Sequence, residues 1–124
     1  MIYLDTHIAA WLYVGQTKKL SEDAKRLINE DDIFISAVVR LELQYLYEIQ
    51  RIADEANKII LDLSDRIGLK ICDKSFHTIV SGALDLTWTR DPFDRIIVAN
   101  AALNSNILLT KDQNILQNYT YARW

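Results

Sequence analysis

The sequence predicts an α/β domain built on a parallel sheet that is covered on both faces. Short apolar runs alternate with longer segments of helical period, the pattern of strand–helix–strand units. The runs are apolar throughout rather than at every second residue, as strands buried on both sides require. At 124 residues the chain fits one domain, residues 1–124, large enough for a real core.

Ile2–Leu4 reads as the first strand, and Asp5-Thr6 caps a helix running to about Tyr13. Gly15 and the polar run Gln16–Lys19 form a loop, after which Ser21 is an N-cap for a helix over Glu22–Glu30. Asp31-Asp32 turns into a second strand, Ile33–Ile35. Ser36 caps a long helix from Ala37 to about Arg51, and another spans about Asp54 to Ile67, ended by Gly68. Leu69–Cys72 is the third strand and Ser75–Leu86 a helix. Asp91-Pro92 opens the next helix with an N-cap and a proline in the first turn, and it continues to about Asn104. Ile107–Leu109 is the fourth strand, Gln113–Gln117 a short helix, and Tyr119–Trp124 a candidate edge strand.

Half of the residues are hydrophobic and a quarter charged, the balance of a globular protein, and 3 Gly and 1 Pro leave no linker. The single Cys72 cannot form an internal disulfide and suits a reducing cytosol, so a cytoplasmic protein is expected. A charge at the fifth residue and no basic leader argue against a signal peptide. The longest uncharged run, Ile96–Thr110, is interrupted by three asparagines and falls short of the roughly 20 apolar residues of a membrane span. The net charge of −3 argues against holding nucleic acid by general attraction, but not against an enzyme whose carboxylates are neutralised by cations.

Four acidic residues stand out by position. In open parallel sheets, ligands bind beyond the carboxyl ends of the strands. Asp5 follows strand one directly and Asp112 lies just past strand four, so both belong to one rim if those strands are neighbours. Taken alone, each reads equally as a helix cap. Glu42 lies on the helical face opposite Arg40, Gln44, Glu48 and Arg51, among Val38, Tyr45 and Ile49. A buried carboxylate there must be compensated by a lysine or arginine or by a metal ion. Asp94 shares a face with Ile97, Val98 and Ala101; its first-turn position also suits the helix dipole, and Arg95 is a possible ion-pair partner. Hard oxygen ligands are what Mg²⁺ or Mn²⁺ prefers, whereas Cys72, His7 and His77 lack the spacing of a zinc site.

In order, strand-Asp5-Thr6, Ser36 with Glu42, Asp91-Pro-Phe-Asp-Arg95 and Leu-Leu-Thr-Lys-Asp112 resemble a PIN domain, and more narrowly the VapC toxins of toxin–antitoxin pairs. The resemblance covers essentially the whole chain. It implies a three-layer α/β/α sandwich and a Mg²⁺- or Mn²⁺-dependent endoribonuclease whose catalytic and metal-binding acids are Asp5, Glu42, Asp94 and Asp112. Asp91 either supports that set or serves only as N-cap. Thr6 and Thr110 either orient carboxylates or water or stabilise turns, and Arg95 either touches phosphate or forms a structural pair. Ser36 is assigned to capping. One departure is Asn104-Ser-Asn106, where a glycine-containing helix end is expected; asparagine tolerates the left-handed conformation that glycine would supply.

The reaction implied is in-line hydrolysis of an RNA phosphodiester, with Lys18, Lys19, Arg40, Lys74, Arg90 and Lys111 available to the phosphate backbone. The resemblance further implies a VapB-like antitoxin that crosses the site, with Trp11, Tyr13, Tyr45 and Tyr47 as candidate anchors. It also implies a homodimer joined through the last helices. Two other readings stand beside it. One is a phosphotransfer domain of receiver or haloacid-dehalogenase type; the latter wants a second Asp where His7 stands, and neither explains Glu42 and Asp94. The other is a PIN fold that only binds RNA or protein.

Overall fold

Strand β1 (Ile2–Leu4) lies at the centre of a five-stranded, wholly parallel sheet in the computed structural model, which describes residues 1–124. The order is β3-β2-β1-β4-β5, with β2 at Ile33–Ile35, β3 at Lys70–Ile71, β4 at Ile107–Leu109 and β5 at Ala122–Arg123. The helices are α1 (Thr6–Val14), α2 (Glu22–Glu30), α3 (Ala37–Glu48), α4 (Ala56–Ile67), α5 (Phe76–Ala83), α6 (Pro92–Ala102) and α7 (Gln113–Asn118). The chain steps outward from β1 to β3 on one side, then returns past β1 to β4 and β5. Right-handed crossovers therefore place α1–α4 on one face and α5–α7 on the other, the three-layer arrangement expected.

The core follows from the apolar strands. Ile2, Leu4, Ile35, Leu108 and Leu109 are fully buried, with Ile8, Val39, Leu43, Ile59, Leu63, Ile97 and Ile115 packed from the helices. Both residues of the edge strand β3 are exposed, so the expectation of strands buried throughout holds for the inner three only. No helix is long and apolar enough to cross a membrane.

Local signals account for most boundaries. Ser21, Ser36 and Ser75 accept hydrogen bonds from Ala24, Val38 and Thr78 backbone N–H groups at the starts of α2, α3 and α5. Gly68 ends α4 in the left-handed region, φ 69°. Three details differ from expectation. Thr17–Lys19, within the loop after Gly15, is a 3-10 turn. Helix α3 stops at Glu48, before Arg51, because Gln50 turns left-handed at φ 62°. Between α6 and β4 the left-handed residue is Ser105, φ 55°, and not either flanking asparagine. Asn106 is held instead, its N–H donating to Ala101 O at 2.9 Å and its Oδ1 accepting from Lys74 Nζ at 2.8 Å. A Cβ in that region carries a cost that glycine avoids. Ser105→Gly is therefore expected to stabilise the protein by about 0.5–1 kcal/mol, read as a raised midpoint in urea with unchanged slope.

Candidate functional site

The sheet order makes β1 and β4 neighbours, paired Ile2 with Ile107, Tyr3 with Leu108 and Leu4 with Leu109. One step on, Asp5 faces Thr110. Because chain direction reverses about β1, this rim is the switch point where parallel sheets leave a crevice beyond their carboxyl ends. A cleft of about 500 Å³ opens there, lined by Asp5, Glu42, Asp91, Asp94 and Asp112 together with His7, Ile8, Trp11, Lys111 and Gln113. Five carboxylates from four segments of chain thus border one cavity.

Each is positioned by its own local chemistry. Asp5, 7% exposed, caps α1: its Oδ1 accepts from Thr6 N–H at 2.7 Å and its Oδ2 from the buried Thr110 hydroxyl at 2.7 Å. The Thr110 oxygen in turn accepts from Asp112 N–H at 3.0 Å, so one threonine ties the two strand-end acids together. Thr6 donates its hydroxyl to Glu42 Oε1, linking α1 to α3. Asp112 caps α7, its Oδ1 accepting from Asn114 and Ile115 N–H groups at 2.8 and 3.1 Å. Asp91 caps α6 in the same way, its Oδ1 accepting from Phe93 and Asp94 N–H at 2.9 and 3.2 Å. Asp94 has no hydrogen-bond partner for its side chain, though it lies in the first turn of α6 above the buried Ile97, Val98 and Ala101.

The lysine or arginine that would neutralise these acids is missing. None of the six ion pairs in the molecule includes a carboxylate of the cleft. Arg95 turns away and donates through Nε to Thr89 O at 2.9 Å. The electrostatic consequence is plainest at Asp94, whose carboxyl is pushed up to about 7 by burial and then by the charges of Asp91, Asp5, Asp112 and Glu42. Burial also raises Asp5, against the hydrogen bonds from Thr110 and Thr6, and raises Glu42, against the bond from Thr6.

The face carrying Glu42 is less buried than its helical position suggested. Val38 is in the core, but Tyr45 and Ile49 are 47% and 43% exposed. Tyr45 instead meets Phe93 of α6, ring centres 6.0 Å apart, and so joins α3 to α6 beside the acids. Of the basic residues expected near phosphate, only Lys111 lines the acidic cleft, and Lys19 lines the groove next to it. Lys74 is held by Asn100 O and Asn106 Oδ1, Arg40 by Asn57, and Arg90 by Thr87 O. Tyr13, a candidate anchor, donates its hydroxyl to Asp54 at 2.7 Å and is structural. Trp11, a candidate anchor for an antitoxin segment, does line the cleft, while His7 and Gln113 line it without having been singled out; the signal for His7 was its place one helical turn before Trp11 and just beyond Asp5.

Chemically, the cleft offers hard oxygen donors with unmet negative charge, a set that suits Mg²⁺ or Mn²⁺ far better than zinc. As they stand, no group of three or more His, Cys, Asp or Glu side chains is arranged to hold an ion.

A parallel α/β/α domain with acids gathered at its switch point is the class that fold and site define. The PIN domain family matches residues 2–120, and the chain belongs to that family. Similar solved structures include that of VapBC2 from Rickettsia felis bound to a DNA fragment from their promoter. It is 20% identical with a TM-score of 0.69, over 99% of this chain and 98% of that one. A toxin–antitoxin complex from Klebsiella pneumoniae is 17% identical with a TM-score of 0.66, over 100% of this chain and 97% of that one. At such identities the likeness establishes the fold. No curated protein matches.

Proposed function

We propose that this protein is a divalent-metal-dependent endoribonuclease acting in the cytoplasm as the toxin of a toxin–antitoxin pair. The observation that carries the proposal is five carboxylates around one cleft with no cationic side chain paired to any of them. A fold spends stability on such a cluster, and binding a cation there recovers it. Family membership supports nuclease chemistry, and the two toxin–antitoxin complexes sharing the fold support a VapB-like antitoxin partner; the homodimer rests on the sequence resemblance alone.

Asp5, Glu42, Asp94 and Asp112 are the residues assigned to Mg²⁺ or Mn²⁺. When bound, the cation supplies Lewis acidity and charge neutralisation toward a phosphodiester and its attacking water. The chain's part is to hold oxygens ready. Thr110 and Thr6 fix the carboxylates of Asp5 and Glu42, Asp112 keeps its second oxygen outside its capping bonds, and Asp94 has both oxygens uncommitted. Asp91, with one oxygen bound to the start of α6, holds Asp94 in place and adds negative charge.

The test is cleavage of a broad RNA panel by the purified protein with Mn²⁺ or Mg²⁺. Cutting that stops on adding EDTA is expected. Wild-type protein inert on every RNA tested would overturn the proposal.

A further inference from the structure

The five acids of the cleft hang on two separate supports. Asp5, Glu42 and Asp112 share one of them. The Thr110 hydroxyl donates to Asp5 Oδ2 and accepts from Asp112 N–H, while Thr6 at the start of α1 donates to Glu42. Asp91 and Asp94 belong to the other support, the start of α6. The N–H bonds made from Asp91 to Arg95 all end within the same stretch, on Thr89 and Asp91, and none reaches α1, α3 or the sheet. Ile97, Val98 and Ala101 seat the body of α6 in the core, but they lie behind its first turn.

A contact between two rings crosses from one support to the other. Tyr45 stands three residues after Glu42 on the same side of α3, and Phe93 is the residue before Asp94. Their ring centres are 6.0 Å apart with the planes at 36°, within the range of favourable aromatic pairs. Tyr45 is half exposed and Phe93 half-buried, so the pair sits at the edge of the core, beside the acids. Both supports carry negative charge and repel each other when no cation lies between them. An attractive contact at their junction opposes that separation.

We infer that Tyr45 and Phe93 are positioning residues for the cation. They form a brace that holds the first turn of α6, and with it Asp94, against the support that carries Asp5, Glu42 and Asp112. Neither ring touches the ion; both act through the acids next to them in the chain. This rests on the metal-dependent reading above and adds the residues that set its affinity.

The experiment titrates Mn²⁺ calorimetrically into full-length, metal-free Tyr45→Ala, Phe93→Leu, the double variant and Tyr45→Phe, and unfolds each in urea with EDTA. Tyr45→Ala and Phe93→Leu are each expected to weaken Mn²⁺ binding about 10-fold, the lower end of the loss seen when a group supporting a metal ligand is removed. The double variant is expected to bind no more weakly than either single one, because both changes remove the same contact. Tyr45→Phe keeps the ring and is expected to bind as wild type. All four are expected to keep a cooperative urea transition. Losses that multiply in the double variant would mean that each residue acts alone, and would overturn the brace. So would a Tyr45→Phe variant as weak as Tyr45→Ala, or an affinity loss confined to protein whose urea transition has collapsed. If all four bind Mn²⁺ as tightly as wild type, the brace falls and the metal reading stands. If wild type binds no Mn²⁺, both fall.

Discussion

Asp5→Asn is expected to lower RNA cleavage by about 100-fold or more while leaving the fold intact, a loss in the range seen when one electrostatic contributor is removed from a reacting centre. The substitution is isosteric and sits at the most constrained point of the cleft. Its carbonyl oxygen still accepts from Thr6 N–H, and only the bond from Thr110 must reverse, with the amide donating to the threonine oxygen. Asp5 is also the carboxylate that burial disfavours in its charged form, so neutralising it removes a cost from the folded state. Catalysis and stability therefore move in opposite directions, which a merely structural aspartate would not produce. Measuring the cleavage rate and the thermal midpoint on the same preparation checks this. A variant that cuts at the wild-type rate would remove Asp5 from the site.

Asp94→Asn is expected to stabilise the metal-free protein at pH 8 and to flatten its stability against pH. The carboxyl titrates near 7 in the folded protein and near its ordinary value of 3.8 when unfolded. Between those values the folded state holds a proton that the unfolded chain has released. Stability consequently falls as pH rises through this window and stays low above about pH 7. With solvent screening of a half-buried group allowed for, the gain from Asn at pH 8 is about 1–2 kcal/mol, and near pH 4 it vanishes. Urea unfolding of wild type and variant at pH 5 and pH 8, with EDTA present, reads the difference. Equal stabilities at pH 8 would mean that Asp94 bears no unmet charge.

Much of this was legible in the chain because local rules decide it. The alternation of Ile2–Leu4, Ile33–Ile35 and Ile107–Leu109 with helices implied a parallel sheet, and a parallel sheet puts the residues after its strands on one rim. Asp5 and Asp112 could be placed that way, and Asp94 by its register with Ile97 and Val98. The convergence of Glu42 with them is set by how α3 and α6 pack through Tyr45 and Phe93, which no spacing encodes. The end of α3 was hidden for a related reason: Ile49-Gln50-Arg51 continues the helical pattern without Gly or Pro, and the break at Gln50 carries no sequence signal. Trp124 was unreadable as a neighbour of Trp11 because only the parallel addition of β5 beside β4 carries the chain end to α1.

Calorimetric titration of Mn²⁺ into the metal-free protein near neutral pH tests most directly whether the acids of the β1–β4 rim act together on one cation. Saturable binding to wild type is expected, with a thermal midpoint that climbs as the ion is added and a stabilisation of about 2.7 kcal/mol at 100 times Kd. Binding is expected to be lost in both Asp5→Asn and Asp94→Asn. Wild-type protein that takes up no Mn²⁺ at millimolar concentration, or variants that bind it as tightly as wild type, would contradict the account.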